Sequence, residues 1–364
     1  MVGTHINPNS GPNSEAFARD MASPTQIGFS QRTSSRFPAR FPIIAGPTAS
    51  GKTAVGVEVC KALVARGLPA EVVTADAYQV YRGMDIGTAK PKTDERQGIP
   101  HHLIDIVEPT AAFTVADWLA AATQIIDSLR ARGVVPVVVG GTHLYIKSLI
   151  DGMFEGPGGD ETLRAELRAT PINVLRAELD RVDPIAAARI HFNDVRRTIR
   201  AIEVFRLTGV PISTHQAQWD KAGAEQAGSD RILVAIEWPV ETLNARINQR
   251  VREMVSRGLV EEVRGLYDAG KFGSQSREAV GYKQLIEHFA KGDKKHPTLD
   301  EALEAIKIQT RHVGKAQRTW IRRLRSTSTS VLIDAEALPA DGLGSDVNHP
   351  WVMKVLGAMG LESE

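Results

Sequence analysis

The sequence predicts an α/β protein in which helices flank a parallel β-sheet and an all-helical domain is inserted into the chain that forms the sheet. Three observations support this fold class. A glycine-rich turn joins a strand to a helix, strand and helix patterns continue to alternate after it, and a purely helical stretch interrupts the alternation. Sheets of this kind bind ligands at the carboxyl ends of their strands, so functional side chains are expected there.

The glycine-rich turn has the sequence GPTASGKT at residues 46–53, between an apolar run and a helical pattern. It fits G-x-x-x-x-G-K-[ST], the phosphate-cradling P-loop, and indicates a P-loop NTPase-like core. Gly46 and Gly51 allow backbone angles that turn N–H groups towards an anion, and Lys52 adds a positive charge. Thr53 can bind Mg²⁺. The alternative is a glycine-rich turn beside a surface lysine.

Hydrophobic patterns and capping signals predict the remaining elements. Strands are expected at 42–45, 71–75, 134–139 and 231–237, and helices at about 52–66, at 114–132, from 241 and from 298. Thr114 and Thr298 each stand three positions before an acidic residue, which is the spacing of a capping box. The pair Asp183-Pro184 is typical of a helix cap followed by a first-turn proline.

Shifts in composition divide the chain. The first residues are rich in Asn, Ser, Pro and Arg and lack periodicity, so they are expected to be disordered, with a transit peptide as the alternative. The sequence GPGGD ends the strand–helix alternation at 156–160. The predicted divisions are a disordered N-terminal tail at 1–40, a discontinuous α/β core at 41–154 and 230–335, an inserted helical domain at 155–229, and a C-terminal tail at 336–364.

Composition narrows the class of protein. The 364 residues are 42% hydrophobic and 24% charged, as in soluble globular proteins, and the formal net charge is +1. That charge argues against coating of the whole surface by a polyanion but allows local basic patches. No apolar run approaches the length of a membrane span, and the single cysteine, Cys60, excludes a disulfide framework. A reducing, aqueous compartment is therefore expected.

Basic residues line one face of the last predicted long helix. They are spaced 4, 4, 3, 4 and 3 apart, with no acid between 307 and 325: Lys307, Arg311, Lys315, Arg318, Arg322 and Arg325. We call these six residues the basic stripe. A second cluster, on the inserted helices, comprises Arg189, Arg196, Arg197, Arg200 and Arg206. Contact with a phosphate backbone is favoured over a merely solvated face, although Arg196 and Arg200 could instead form internal ion pairs.

An acidic residue follows the second predicted strand. Asp76 therefore faces whatever the P-loop holds, and it could act as a general base for an acceptor or help to hold Mg²⁺; a helix-capping role is the alternative. Residues 81–91 are polar and glycine-rich, which indicates an ordered loop over the site. Gly140-Gly141 would admit a close approach to the backbone, whereas His101-His102 lacks a third metal ligand and is interpreted as structural.

These motifs together resemble the tRNA dimethylallyltransferase family, also called tRNA isopentenyltransferases. The resemblance runs in order from about 41 to 325 through GPTASGKT, DAYQVYRGMDIGTAKP, HHLID, VVGGTHLY, DPIAAARIHFND, RAIEVFRLTG, VGYKQ and TRHVGKAQRTWIRR. It implies a P-loop core with a helical insertion. It also implies transfer of a dimethylallyl group from dimethylallyl diphosphate to N6 of adenosine-37, just 3′ of the anticodon, in tRNAs that read codons beginning with U.

The resemblance assigns roles to individual positions. Asp76, Arg250 and Lys52 are the expected catalytic residues, and Thr53 is the expected ligand of Mg²⁺, the expected cofactor. The diphosphate is expected to bind Gly46, Pro47, Thr48, Ala49, Ser50, Gly51, Lys52 and Thr53. The expected contacts with tRNA are Asp76, Ala77, Tyr78, Gln79, Thr142, Arg164, Arg196, Arg197, Thr198, Ile199, Arg200, Glu278, Ala279, Val280, Gly281, Tyr282, Lys283, Lys315, Arg318 and Arg322.

The sequence departs from the family pattern in three places. Ala77 stands where many members have serine, and Ala316 stands where many have arginine, which removes a positive charge from the expected tRNA contact. The zinc-finger extension of eukaryotic members is missing, so a bacterial-type cytoplasmic enzyme is expected, acting as a monomer without a membrane partner. Two alternative functions account for fewer of these features. A small-metabolite P-loop kinase gives the basic stripe no role, and an RNA-binding NTPase switch would need a motif such as N-K-x-D.

Overall fold

The computed structural model describes residues 37–153, 156–217, 230–290, 295–337 and 349–361, so the predicted N-terminal tail lies almost wholly outside it. The strands are β1 (Phe41–Ala45), β2 (Ala70–Ala75), β3 (His101–His102), β4 (Val135–Gly140), β5 (Arg231–Glu237) and β6 (Ser330–Asp334). The helices of the core are α1 (Lys52–Ala65), α2 (Thr93–Arg96), α3 (Val115–Ala131), α4 (His143–Asp151), α9 (Val240–Ser256), α10 (Leu259–Asp268), α11 (Tyr282–Phe289), α12 (Leu299–Thr327) and α13 (Pro350–Ala358). The inserted helices are α5 (Glu161–Ala169), α6 (Ile172–Val182), α7 (Pro184–Arg189) and α8 (Val195–Thr208).

The six strands form one parallel sheet in the order β3-β2-β4-β1-β5-β6. The central strands β1 and β4 are buried along their whole length, which explains their continuous apolar sequences. Apolar clusters fill both faces of the sheet: Trp118 and Tyr282 lie in one, and Leu63 and Trp351 lie in the other. The predicted fold class, a P-loop NTPase-like α/β core with a helical insertion, is confirmed.

The capping signals in the sequence are also confirmed. The hydroxyl of Thr114 accepts a hydrogen bond from the N–H of Asp117, and the hydroxyl of Thr298 accepts one from Glu301; in each case the acidic side chain completes a capping box. Asp183 caps α7 directly before Pro184. Local chemistry therefore decides where α3, α7 and α12 begin.

The inserted helices have an apolar core of their own, which includes Leu167, Leu175, Leu179 and Ile202. The buried carboxylate of Asp183 connects two segments of this domain. Asp183 is 1% exposed, and its two oxygens accept hydrogen bonds from the N–H groups of Ala186 and Ser213, both at 2.9 Å. One buried side chain thus starts α7 and holds the segment that follows α8. The exact bounds of the inserted domain, 155–229, stay a prediction.

Two elements differ from the expected organisation. Strand β6 adds an edge to the sheet by pairing with β5, although its sequence, SVLID, gave no separate signal. The segment expected to be a C-terminal tail contains helix α13, whose Trp351, Val352 and Val355 are buried against the sheet. A single helix this short carries a weak periodic signal, because its burial depends on apolar surface supplied by distant parts of the chain.

Replacement of Asp183 by alanine should destabilise the inserted helices, because two buried N–H groups lose their acceptor. The expected loss is about 2–3 kcal/mol in the free energy of unfolding. Denaturant unfolding followed by circular dichroism would measure it. Asp180→Ala, at an exposed position three residues earlier, is the control. Equal stability of the two variants would contradict this role for Asp183.

Candidate active site

The P-loop links β1 to α1, and side chains from other parts of the chain hold its conformation. Gly51 lies at φ 85° and Ala49 at φ 62°, which turns the chain sharply before α1. A Cβ at Gly46 would lie 2.3 Å from the hydroxyl oxygen of buried Ser50, so any larger residue would have to displace that side chain. The Nε1–H of Trp238 donates to the Ser50 carbonyl and the Nε–H of Arg246 donates to that of Ala49, at 3.0 and 2.9 Å.

Asp76 follows β2 at the same edge of the sheet as the P-loop. Its Oδ1 accepts hydrogen bonds from the N–H groups of Tyr78 and Gln79, at 3.0 and 3.3 Å. No α-helix begins at this turn, so the carboxylate is fixed by a tight turn and does not cap a helix. It lines one pocket together with Lys52, Thr53 and Gln79. Because Oδ1 accepts both of these backbone bonds and Oδ2 accepts none from the described residues, Oδ2 can accept a further hydrogen bond.

Glycine at the end of β4 makes this arrangement possible. Gly140 pairs with Ala75, and a Cβ at Gly140 would lie 2.0 Å from the Ala75 carbonyl oxygen. Thr142 begins the next turn; its N–H donates to the Ala75 carbonyl at 3.2 Å, and its hydroxyl oxygen accepts from the N–H of Ala77 at 3.0 Å. Thr142, an expected tRNA contact, therefore also fixes the backbone beside Asp76.

Two cations and one anion share the interior of the site. Burial, reinforced by the positive charge of Arg250, lowers the pKa of Lys52 to about 8, and the Asp76 carboxylate opposes this change. Burial also lowers the pKa of Arg250, and Asp76 again opposes it. The three predicted catalytic residues are therefore brought into one electrostatic cluster. A bound anion would offset the repulsion between the two cations of this cluster.

The loop at 81–91 is ordered, as expected. The carboxylate of Glu262, on α10, accepts hydrogen bonds from the consecutive N–H groups of Asp85, Ile86 and Gly87, at 3.0, 2.7 and 3.2 Å. The hydroxyl of Tyr282 donates to the same carboxylate. Glu262 thus fastens the loop to the core. The sequence pattern did not indicate it, because its partners in the loop lie more than 170 residues away along the chain.

The side-chain amide of Gln79 secures the other end of that loop. It donates to the carbonyl groups of Thr88 and Ala89, at 3.2 and 3.3 Å. Buried Lys90 binds the Tyr81 carbonyl as well as the carboxylates of Asp85 and Asp105. Gln79 was expected to contact tRNA, and this structure gives its amide nitrogen a second, internal role.

The inserted helices bring only part of the predicted tRNA-contact set to the surface. Arg196 and Arg197 are exposed at the start of α8, whereas Thr198 and Ile199 are buried in the helical core. Arg164 and Arg200 both bind the buried carboxylate of Glu203, at 2.9 and 2.7 Å. The alternative of internal ion pairing therefore applies to Arg200 and not to Arg196, which makes no ion pair among the described residues.

The exposed arginines of α8 influence titratable groups near the pocket. Burial and the Asp76 carboxylate raise the pKa of Tyr78, and the positive charge of Arg196 opposes that rise. Burial lowers the pKa of His143 at the start of α4, and Arg197 lowers it further. The charges at the start of α8 therefore act on side chains that follow β2 and β4.

The predicted contact stretch 278–283 is largely buried. Ala279, Gly281 and Tyr282 are buried. The ring of Tyr282 packs against Gly87 so closely that a Cβ there would lie 2.4 Å from a ring carbon. Glu278 and Lys283 are partly exposed and bind each other at 2.6 Å. Only the polar ends of this stretch are therefore available to a partner.

Neighbouring acids neutralise part of the basic stripe. Arg322 and Arg325 both bind Glu237 at 3.3 Å, and Lys307 binds Glu304 at 3.1 Å. Lys315 and Arg318 make no ion pair with any described residue and lie at least partly exposed in the middle of α12. The middle of the stripe is therefore the part with uncompensated charge.

Gln317, on the inner side of the same helix, was not predicted as a site residue. Its Oε1 accepts a hydrogen bond from the P-loop N–H of Thr48 at 2.8 Å, and its Nε2 donates to the carbonyl of Gly141 at 2.9 Å. The sequence motif around it gave no sign of this, because the motif's charged residues dominate the pattern.

The described residues contain no group of three or more His, Cys, Asp or Glu side chains placed to hold a metal ion. Thr53 and Asp76 nevertheless supply oxygen atoms to one pocket beside the P-loop. Mg²⁺ commonly takes one or two protein oxygens and completes its shell with phosphate and water, so this sparse set fits that ion.

Among the described helices, none has the length and apolarity required to span a bilayer.

The fold and the site define a P-loop protein with a carboxylate beside the phosphate-binding loop and a nearby helix that carries uncompensated positive charge. Comparison with known proteins identifies the family within this class of P-loop proteins. The model of the IPP transferase family matches residues 79–324, and the chain belongs to that family. The family resemblance of the sequence motifs is thereby confirmed.

Relatives and solved structures agree with this assignment. The tRNA dimethylallyltransferase of Geobacillus kaustophilus (strain HTA426) is 42% identical over 285 residues, 77% of this chain and 86% of that protein. That of Geobacter metallireducens is 43% identical over 289 residues, 78% and 90% of the two chains. The crystal structure of the tRNA isopentenylpyrophosphate transferase from Bacillus halodurans has a TM-score of 0.60 at 36% identity, covering 88% of this chain and 97% of that one. A eukaryotic dimethylallyltransferase acting on tRNA has a TM-score of 0.67 at 26% identity, with 81% and 74% covered.

The lowered pKa of Lys52 predicts how anion binding depends on pH. Lys52 is protonated below a pKa of about 8 and loses its charge above it, and a bound diphosphate would raise that pKa again. The affinity for inorganic diphosphate should therefore fall by about tenfold between pH 7 and pH 9. Isothermal titration calorimetry would measure it. In Lys52→Arg the side chain stays charged, so the fall should be much smaller; parallel curves for the two proteins would contradict the assignment.

Proposed function

We propose that this chain transfers a dimethylallyl group from dimethylallyl diphosphate to N6 of adenosine-37 in tRNAs that read codons beginning with U. The products are N6-(dimethylallyl)adenosine and diphosphate. Family membership supports the reaction class. The observation that carries the proposal is the pocket in which the Asp76 carboxylate stands beside Lys52 and Thr53 of the P-loop. An attacking amine and a departing diphosphate need these two environments side by side.

The reaction needs a base at the amine, because the lone pair of adenine N6 is delocalised into the ring. In the proposed mechanism, Asp76 accepts a proton from N6 as N6 bonds to the allylic carbon and the carbon–oxygen bond to diphosphate breaks. Tyr78 and Gln79 hold the carboxylate in place through their N–H groups. For the adenosine to reach Asp76 it must leave its base stack, as in other base-modifying enzymes.

The departing diphosphate is stabilised by positive charge and N–H donors. Lys52 and Arg250 supply the charge, and the first-turn N–H groups of α1, which have no partner within a helix, supply donors at its N-terminus. This is the protein's main electrostatic contribution to the transition state. We further propose that Thr53 holds Mg²⁺ together with diphosphate oxygens. When bound, this ion would neutralise part of the negative charge on the leaving group.

Binding energies indicate that the P-loop holds the donor mainly by its diphosphate. Full burial of a five-carbon tail contributes at most about 4 kcal/mol, at roughly 0.8 kcal/mol per carbon group. That energy corresponds to a dissociation constant of about 1 mM. Useful affinity must therefore come from contacts with the diphosphate. In this proposal the P-loop binds a prenyl donor, and no nucleoside triphosphate is consumed.

The proposed tRNA surface combines the middle of the basic stripe with the start of α8. Lys315 and Arg318, together with Arg196 and Arg197, are at least partly exposed and flank the site. The buried Thr198, Ile199, Ala279 and Tyr282 are left out of the proposed side-chain contacts. A cytoplasmic location, where tRNA is modified, and a monomeric state stay predictions.

A labelling experiment tests the reaction. With radiolabelled dimethylallyl diphosphate and tRNA, but without ATP, label should enter the tRNA, and nuclease digestion should recover it in modified adenosine. Asp76→Asn keeps the size of the side chain but removes the base, so turnover should fall by about two to four orders of magnitude while tRNA binding changes little. A requirement for ATP, or tRNA-stimulated ATP hydrolysis, would favour a kinase or switch instead. Near-normal turnover of Asp76→Asn would remove Asp76 from the mechanism.

Salt dependence tests the tRNA surface. Each neutralised phosphate should lower the logarithm of the association constant by roughly 0.7–0.9 for a tenfold rise in salt. Arg318→Ala should reduce that slope by about one contact. Arg322 binds Glu237, so Arg322→Ala should reduce the slope less. Filter binding over a range of KCl concentrations would give both slopes, and a wild-type slope for Arg318→Ala would place tRNA elsewhere.

A further inference from the structure

A continuous path of short contacts connects the P-loop to Asp76. The N–H of Thr48 donates to Oε1 of Gln317, whose Nε2 donates to the carbonyl of Gly141. Thr142, the next residue, accepts a hydrogen bond from the N–H of Ala77, which adjoins Asp76. No other side chain among the described residues is seen to bridge the P-loop and the end of β4 by hydrogen bonds at both ends.

Two glycines, Gly141 and Gly314, leave space for the side-chain amide of Gln317. A Cβ at Gly141 would lie 2.7 Å from Nε2 of Gln317 and 3.5 Å from Cε of Lys52, so glycine leaves room for both side chains. One turn earlier on α12, Gly314 is buried, and a Cβ there would lie 3.3 Å from Ile247 and 3.9 Å from Thr48. Helix α12 can therefore lie close enough for an uncharged side chain to reach two backbone groups.

From this geometry we infer that Gln317 is a positioning residue that sets the separation between the bound diphosphate and the general base. The inference rests on the proposed function. A substitution at the allylic carbon requires the attacking nitrogen and the leaving oxygen to be held in line, and small errors in their placement reduce the rate strongly. Gln317 touches neither group. It fixes the strand end that carries Asp76 relative to the loop that carries the diphosphate.

The bridge also joins the tRNA-contacting helix to the donor site. Lys315 and Arg318 lie two residues before and one residue after Gln317, on the same rigid helix. Tension or displacement imposed on α12 by bound tRNA would therefore reach Thr48 through one side chain. Gln317 is thus placed to make the spacing of the site depend on correct docking of this helix.

Gln317→Met tests the inference, because methionine has a similar length and flexibility but cannot form either hydrogen bond. The kcat for prenyl transfer should fall by about ten- to a hundredfold. The dissociation constants of tRNA and inorganic diphosphate should stay within about threefold of wild type, and the melting temperature should change by only about 2 °C. A loss that appears instead in KM, in diphosphate affinity or in melting temperature would overturn the inference.

Two further variants make the result specific. Thr319→Val is the matched control: among the described residues its hydroxyl bonds only to the Lys315 carbonyl within α12, so transfer should be unchanged. Gly141→Ala should push the amide of Gln317 aside and lower kcat by itself. In the double variant with Gln317→Met it should add little, because the bridge is already broken. If the reductions in kcat caused by Gly141→Ala and Gln317→Met simply multiply in the double variant, the inference is overturned.

An inactive wild-type protein would refute the proposed function, whereas an active wild type with an equally active Gln317→Met would refute only the role of Gln317.

Discussion

The site depends on how closely the carboxyl ends of three parallel strands can approach one another. β1 leads into the P-loop, β2 leads to Asp76, and β4 lies between them in the sheet. A side chain at Gly140 would collide with the Ala75 carbonyl, and one at Gly141 would displace Gln317. The two glycines thus allow an anion site and a carboxylate to share one pocket without a long connecting loop.

The proximity of charged groups in this pocket is electrostatically unfavourable for the protein without a ligand. Lys52 and Arg250 are partly desolvated and repel each other, which is why burial and the neighbouring guanidinium lower the pKa of Lys52 to about 8. Asp76 offsets only part of this repulsion. A dianionic ligand neutralises both cations, so the site favours binding of a diphosphate over a neutral or singly charged molecule.

The sequence predicted those parts of the protein that depend on local chemistry. The P-loop, the caps at Thr114, Asp183 and Thr298, and the position of Asp76 at a strand end all follow from short motifs. The bridge made by Gln317 depends on two backbone groups that are remote in sequence, and no local pattern reports them. For the same reason the charge pattern of α12 did not reveal that Glu237, on β5, neutralises the end of the basic stripe.

Helix α12 runs without a break for 29 residues and carries, on one rigid rod, a buried contact with the sheet, the bridge to the P-loop and the exposed cations. These three faces keep their relative angles only while the number of residues between them is fixed. Inserting or deleting one residue rotates everything beyond it by about 100°. Exposed positions of α12 other than Lys315 and Arg318 can therefore change in side chain, but the segment from Gly314 to Leu324 cannot change in length. Among homologous sequences, gaps should be absent from this stretch even where identity is low.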